Sequence, residues 1–426
     1  MNVIGIAAEY NPFHYGHALH IARARASCAQ ASPNEAAVVA VLSSAFTQRG
    51  LPALADKWTR TNMALSNGVD LVLELPFVHA CNGGAEFAQG AVDILAGTGF
   101  VTHISFGMER PFDPETPPFK TILDILVQEP PSFKLCLKEN LASGQSYPKA
   151  VAEALNREIL CSCPGSGDLI STPNNSLALS YLLHIRRKGY GLIPIPVRRE
   201  GAGYHDERRA LRDGKEEGLS APLAGAAAIR KGFLNGEAWT AGAMPTSVSA
   251  LLEEARADGR LCLDAGIKTL WTLLRGLLLR STPEDLREVA GMNEGVENLF
   301  LKHVLHAFSY EDFIGRCVSA RYTRGRLQRA SIRLLTGLGR RVSALSRKGP
   351  PYIRVLGFNR RGRDLLHDSA SSLPFVTRLP VARLAAEYGE SAGQYAEMEF
   401  RASRLWELLV PASDLRREEK QKPVEF

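Results

Sequence analysis

Short apolar runs separated by amphipathic stretches dominate the first half of the chain. Asn2 to Ala8, Ala36 to Leu42, Asp70 to Leu75 and His103 to Phe106 read as strands, with Gly191 to Val197 as a fifth. Between them, His17 to Ala26, Lys57 to Leu65, Ala85 to Ala96 and Asn175 to Lys188 have the character of helices. Strand and helix in that alternation predict an α/β fold with a parallel, doubly wound sheet, whose ligand crevice lies at the carboxyl ends of the strands. After about Gly236 the pattern changes. Val248 to Ala257, Ala265 to Leu279, Pro283 to Ala290 and Asn293 to Phe308 predict helix after helix with few strand signals. The expected organisation is therefore an α/β domain over residues 1–240 followed by a mainly helical domain over residues 241–426. Proline-rich punctuation at Arg110 to Phe119 and Glu129 to Phe133 predicts surface loops, and the charged end Arg416 to Phe426 predicts a frayed tail.

Composition narrows the class. A chain of 426 residues with 45% hydrophobic and 23% charged positions has ordinary globular values, which excludes collagen-like and disordered chains. The seven cysteines are scattered, and only Cys161 and Cys163 are close, a spacing that suits neither a disulfide framework nor a zinc site. No apolar run reaches the ~20 residues that span a bilayer. Met1 to Ala8 lacks the basic and long apolar regions of a signal peptide, so no membrane partner and a cytoplasmic location are expected.

Charge changes the picture more. Between Arg316 and Arg363 stand fourteen Arg or Lys and no Asp or Glu, whereas the whole chain carries only +6, so the remainder is net acidic. An acidic body joined to one basic stretch is the footprint of a polyanion-binding module. Within it, Arg326, Arg329 and Arg333 fall at i, i+3 and i+7, on one face of a predicted helix.

The strongest chemical signal is the opening, Gly5-Ile6-Ala7-Ala8-Glu9-Tyr10-Asn11-Pro12-Phe13-His14-Tyr15-Gly16-His17. An apolar strand runs into an Asn-Pro turn, and His-x-Gly-His then opens a helix. His14 and His17, three apart at a helix start, face one way, and the unbonded backbone N–H groups of a helix N-terminus favour an anion. Gly16 removes a side chain where a ligand approaches the backbone. The arrangement predicts a triphosphate cradle made from imidazole and amide donors. Two surface histidines are the plain alternative, and position after the first strand of an α/β domain decides against it. No resident metal is expected, because Asp and Glu partners at ligand spacing are missing nearby.

His14 to His17 resembles the HxGH signature of the nucleotidyltransferase superfamily shared with class I aminoacyl-tRNA synthetases. The longer run Ala8 to His17 resembles the bacterial tRNA(Met) cytidine acetate ligase family. Phe46 to Gly50, Asp56-Lys57-Trp58, Asp70 to Pro76, Phe106-Gly107, Pro173 to Asn175, Gly201 to Asp206, Tyr322-Thr323 and Arg354 to Arg363 extend the resemblance over most of the chain. It implies a Rossmann-like HxGH domain and an enzyme that activates acetate with ATP and acetylates N4 of the wobble cytidine of elongator tRNA(Met). Mg²⁺ would arrive on the nucleotide. A small-molecule adenylyltransferase, or an RNA-binding protein with a decayed nucleotide site, are the alternatives. Length and the basic stretch weigh against the first, and retained histidines against the second. No KMSKS-like loop marks a full tRNA synthetase.

By the same resemblance, the ATP-binding residues are Ala7, Ala8, Glu9, Tyr10, Asn11, Pro12, Phe13, His14, Tyr15, Gly16, His17, Ala18, Leu19 and His20, together with Gly107, Asn174, Arg199 and Glu200. His14 and His17 are the catalytic pair. Asn174 is preferred to Asn175 by its spacing to Arg199, although either asparagine would also cap a helix. Gln48 to Gly50 and Asp56 to Trp58 read equally as pyrophosphate contacts or as surface loop, while His205-Asp206 reads as turn support. The basic residues Arg321, Arg324, Arg326, Arg329 and Arg333 are the expected tRNA contacts. Two segments depart from the family pattern, Ser43-Ser44-Ala45-Phe46 and Gly225-Ala226-Ala227-Ala228-Ile229-Arg230. Lost hydroxyls there imply lost phosphate hydrogen bonds, with Arg230 kept.

Overall fold

A computed structural model describes residues 1–28, 36–109, 117–145, 147–159, 172–199 and 224–426. Five parallel strands carry the amino-terminal half: β1 (Val3–Ala8), β2 (Ala37–Ser43), β3 (Leu71–Leu75), β4 (His103–Met108) and β5 (Ile193–Arg198). Their order, β5-β4-β1-β2-β3, reverses direction of winding between β1 and β4. A crevice opens at such a switch point, at the carboxyl ends of the two strands. All seven residues of β2 are buried. Val39 and Val41 pack into one layer with Leu71 and Leu73, while Val38, Ala40 and Leu42 pack into the opposite layer with Ile4 and Ile6. Coverage on both faces is why these strands read as continuous apolar runs.

Helices Tyr15–Cys28, Lys57–Leu65, Gly84–Gly97 and Pro173–Lys188 connect these strands and extend the expected helices by at most two residues at an end. The second half is rich in helices, including Thr246–Ala257, Asp264–Arg280, Val296–Val304, Tyr310–Cys317, Arg324–Thr336 and Glu390–Glu407. The sheet, however, crosses residue 240. Strand β6 (Ile353–Phe358) pairs antiparallel with β3, and β7 (Phe375–Val376) and β8 (Val424–Glu425) both pair with β6. The reading of 241–426 as helical missed β6 because Arg354 interrupts its apolar pattern.

Arg354 is buried for a reason. It pairs with Glu74 at 3.0 Å and with Glu418, while Lys57 pairs with Glu399 at 3.0 Å, Glu418 at 2.9 Å and Glu74. This closed network of two cations and three carboxylates ties β3, β6, helix Glu390–Glu407 and the chain end together. Two expectations are corrected here. The end Arg416 to Phe426 is not frayed, since Glu418 is buried in the network and β8 extends the sheet. Asp56-Lys57-Trp58 is not a pyrophosphate loop: Asp56 caps its helix through Thr59 N at 2.8 Å, Lys57 is consumed by carboxylates, and Trp58 is core.

The proline-rich segments also differ from expectation. Pro117 to Phe119 opens helix Pro117–Gln128, and Pro131 to Phe133 opens helix Pro131–Ala142. Proline suits a first helical turn, where its missing N–H costs nothing. Residues 110–116, Cys161, Cys163, Glu200 and the run Gly201 to Asp206 lie outside the described residues.

Candidate active site

The turn after β1 positions the histidines. Asn11-Pro12 is a cis peptide, and Tyr10 sits at φ 42°. Asn11 Oδ1 accepts the Leu54 N–H at 2.8 Å, and Arg230 donates to the Asn11 carbonyl at 2.5 Å. Tyr10, Phe13 and His17 form a mutual ring cluster, with centroids 4.8 to 5.4 Å apart. His14 and His17 themselves stack, their centroids 3.8 Å apart and ring planes 27° from parallel.

Backbone bonds set the protonation of both rings. The Gly16 N–H donates to His14 Nδ1 at 3.0 Å, and the His14 N–H donates to His17 Nδ1 at 3.2 Å. An imidazole nitrogen that accepts has no proton, so each neutral ring carries its hydrogen on Nε2. Among the described residues nothing accepts from either Nε2. Burial together with the fields of Arg199 and Arg230 pushes the His14 pKa down to about 3. Burial, His14 and Arg199 hold His17 well below the usual imidazole range. His20 is pushed down to about 4 by burial and Arg199, and its Nε2 lies 2.8 Å from Ser105 Oγ. Ser105 Oγ gives its own hydrogen to Ile195 O, so His20 Nε2–H is the donor in that contact.

The cradle thus differs from expectation in its donors. The N–H of Tyr15 bonds Ala243 O, that of Gly16 bonds His14 Nδ1, and those of His17 and Ala18 bond His14 O. The first-turn amides are consumed, which leaves the two imidazole N–H groups to meet a ligand. Gly16 serves the histidine as well: a Cβ there would lie 2.8 Å from His14 Cε1, so glycine makes room for that ring.

Cations surround this pair. Arg199 follows β5, fixed by its N–H to Met108 O at 2.8 Å, and its side chain lies over Gly107, where a Cβ would approach Arg199 Cγ to 3.1 Å. Arg199 donates to Asn174 Oδ1 at 3.2 Å, whereas Asn175 is buried and its Oδ1 accepts the Glu109 N–H at 3.0 Å. The geometry therefore brings Asn174 to Arg199 and turns Asn175 to structural use. Glu109 went unnoticed in the sequence. Its carboxylate accepts from Thr172 Oγ1 and the N–H groups of Asn174 and Asn175, which fixes the start of helix Pro173–Lys188 beside the crevice. These bonds outweigh its burial and hold the carboxyl below its usual range.

Arg230 projects from helix Ala226–Leu234, whose cap is Gly225, so the divergent Gly225 to Arg230 segment still faces the crevice. In the other divergent segment, the Ser43 and Ser44 carbonyls and the Glu9 carbonyl accept from Arg60, a fully buried residue that ties the ends of β1 and β2. Glu9 Oε1 accepts the Gln48 N–H at 2.7 Å, which brings Gln48 to Gly50 to the rim. Gly50 requires glycine there, at φ +76° and with the Arg329 backbone 2.5 Å from where a Cβ would stand.

The expected tRNA contacts divide. Arg321 is exposed, Arg324 pairs with Glu311 at 2.7 Å, and Arg326 pairs with Glu294 at 3.0 Å. Arg329 donates to Gln48 O, and buried Arg333 donates to Cys81 O at 3.0 Å and Asn82 Oδ1 at 2.6 Å. Two of the three residues of the i, i+3, i+7 face, Arg329 and Arg333, are thus packing residues, and buried Arg333 is not placed to meet a phosphate.

Comparisons with known proteins agree with this architecture. Residues 1–422 match the HIGH Nucleotidyl Transferase family model. A tRNA(Met) cytidine acetate ligase of Clostridium perfringens is 31% identical over the full length of both chains. Its counterpart from Acetivibrio thermocellus is 36% identical over 89% of this chain and 88% of its own. The crystal structure of Thermotoga maritima TmcAL bound with alpha-thio ATP superposes over the whole of both chains with a TM-score of 0.87 at 26% identity. With its HxGH pair at the β1/β4 switch point, the chain belongs to the tRNA(Met) cytidine acetate ligase family of HIGH nucleotidyltransferases.

Proposed function

We propose that this crevice binds ATP and that the protein uses it to join acetate to N4 of the wobble cytidine of elongator tRNA(Met), in the cytoplasm. The observation that carries the ATP site is the stacked His14–His17 pair, each ring tied at Nδ1 and carrying its hydrogen on Nε2, in the fields of Arg199 and Arg230. Neutral imidazole donors beside guanidinium cations suit a triphosphate, whose charge Mg²⁺ carried on the nucleotide would further offset. His14 and His17 would donate to the phosphates. Arg199, held by Asn174, and Arg230 would offset the negative charge that builds on pyrophosphate as it departs.

Acetate oxygen attacks the α-phosphorus, the bond to the bridging oxygen breaks, and pyrophosphate leaves. The acyl carbon of the resulting mixed anhydride then takes the cytidine N4 amine, which loses one proton as AMP departs. No protein nucleophile is needed, so the site's task is positioning and charge compensation. The test is isotope exchange between pyrophosphate and ATP in the purified protein, which should require acetate. Label from acetate should enter tRNA(Met) without acetyl-CoA. ADP as the product, or exchange indifferent to acetate, would overturn the proposal.

A further inference from the structure

The basic run from Arg316 to Arg363 does not act as one surface once folded. Arg329 and Arg333 face inward onto Gln48, Cys81 and Asn82, Arg354 is fully buried among carboxylates, and Arg316, Arg324 and Arg326 each hold an acidic partner. A different part of the run keeps its charge. Helix Arg340–Leu345 and the 3₁₀ turn Ser346–Lys348 present Arg340, Arg341, Arg347 and Lys348, all exposed. Among the described residues, Arg340, Arg347 and Lys348 have no acid within ion-pair distance. Arg341 has only Glu390, 3.8 Å away with both side chains largely in solvent, a pair worth little.

This turn is also close to the crevice. The Ser346 and Arg347 carbonyls accept from Gln89 Nε2 at 2.9 and 3.1 Å. Gln89 lies in helix Gly84–Gly97, five residues after Gly84, whose own neighbours are Gln48 Nε2 and Leu177. Five residues of helix span about 7.5 Å, so the backbone of the Ser346–Lys348 turn is held on this helix within about one and a half helical turns of the residue that meets Gln48. A fixed backbone carries them: Gln89 holds the turn, and Gly349, at φ +87°, packs against Asp93 on the same helix.

We propose that Arg340, Arg341, Arg347 and Lys348 are the surface that grips the phosphate backbone of the tRNA while its anticodon loop enters the crevice. The proposal rests on the tRNA-modifying function proposed above and replaces the Arg326–Arg329–Arg333 face as its RNA contact. Four phosphate-neutralising cations, three of them with no ion-pair partner among the described residues and the fourth only in the solvent-exposed pair with Glu390, give salt-dependent, sequence-independent grip and leave base selection to the crevice.

The experiment uses the full chain with Arg340, Arg341, Arg347 and Lys348 all changed to Ala. A control variant, Arg360→Ala with Arg363→Ala, removes two charges elsewhere on the basic run. Binding of tRNA(Met) is titrated against potassium chloride, alongside acetate-dependent pyrophosphate exchange and thermal melting. We expect tRNA affinity to fall by about tenfold or more at moderate salt, with a slope of log affinity against log salt shallower by about 3. Pyrophosphate exchange and melting should stay at parental values, and the control should keep the parental slope. Parental affinity and slope in the quadruple variant would overturn the inference alone. An equal loss in the control would overturn its location. If the parent protein itself does not bind tRNA, the functional reading falls and this inference with it.

Discussion

At the residue scale, the chemistry turns on which atoms are already spoken for. His14 and His17 each accept a backbone N–H at Nδ1, which orients the rings and leaves Nε2–H as the donor. Two rings at 3.8 Å cannot both become cations cheaply, and burial first, with the field of Arg199 behind it, keeps them neutral in the free protein. Replacing His17 with Ala should remove one donor and also the acceptor that holds the His14 N–H, so acetate-dependent pyrophosphate exchange should fall by roughly 10²-fold or more. Gly16→Ala is the finer probe. Its methyl would press on the His14 ring, so ATP affinity should drop, as titration calorimetry would register, while the melting temperature changes little. Unchanged affinity in Gly16→Ala would mean that the position of this ring does not matter to the nucleotide.

At the scale of elements, helix Arg324–Thr336 shows that a basic face is not by itself a binding face. Arg333 donates twice to Cys81 O and once to Asn82 Oδ1 from a buried position, and thereby fastens the helical half to the loop after β3. Truncation to Ala leaves a buried carbonyl without its donor and should cost about 1–3 kcal/mol. Arg324→Ala, which breaks only a surface pair with Glu311, should cost less than about 1 kcal/mol. Urea denaturation of the two variants tests the contrast. Equal midpoints would mean that Arg333 is not the fastening this geometry describes.

At the scale of the whole molecule, buried titratable groups predict an acid response. Burial pushes His14, His20 and His79 down to about 3, 4 and 4 in the folded chain against 6.5 for a free imidazole, and lowers His17 as well. In that window the unfolded chain binds more protons, so stability is complete above pH 6.5 and is lost as pH falls towards 4. Glu399 acts the other way. Burial and the neighbouring Glu74 raise it to about 7, so the folded chain holds a proton that the unfolded chain releases, and stability falls as pH rises from 4.5 to 7. Burial raises Glu407 as well, so four histidines stand against two carboxyls, and the balance still predicts a net loss on acidification, on the order of a few kcal/mol at about 1.4 kcal/mol per unit of pKa shift. Urea midpoints measured across pH 7 to 4 should fall steeply. A flat profile would mean that the histidine rings are hydrated.

Local pattern carried the five parallel strands, the helices between them and the HxGH turn, because strand and helix periodicity and an Asn-Pro turn are properties of neighbouring residues. The position of the crevice followed from strand alternation, and the contact between Asn174 and Arg199 agrees with the preference for Asn174 over Asn175. Tertiary structure decided everything that depends on partners distant in sequence. Glu74, Glu399 and Glu418 make Arg354 a core residue and draw β6 and the chain end into the sheet, although each segment alone reads as charged surface. The same holds for Lys57, Arg329 and Arg333, whose carboxylate and carbonyl acceptors lie on other elements. Charge written along a chain records how many cations there are. Whether a cation faces water is set by the acceptors that folding brings to it, since a buried charge persists only where hydrogen bonds and counter-charges replace water.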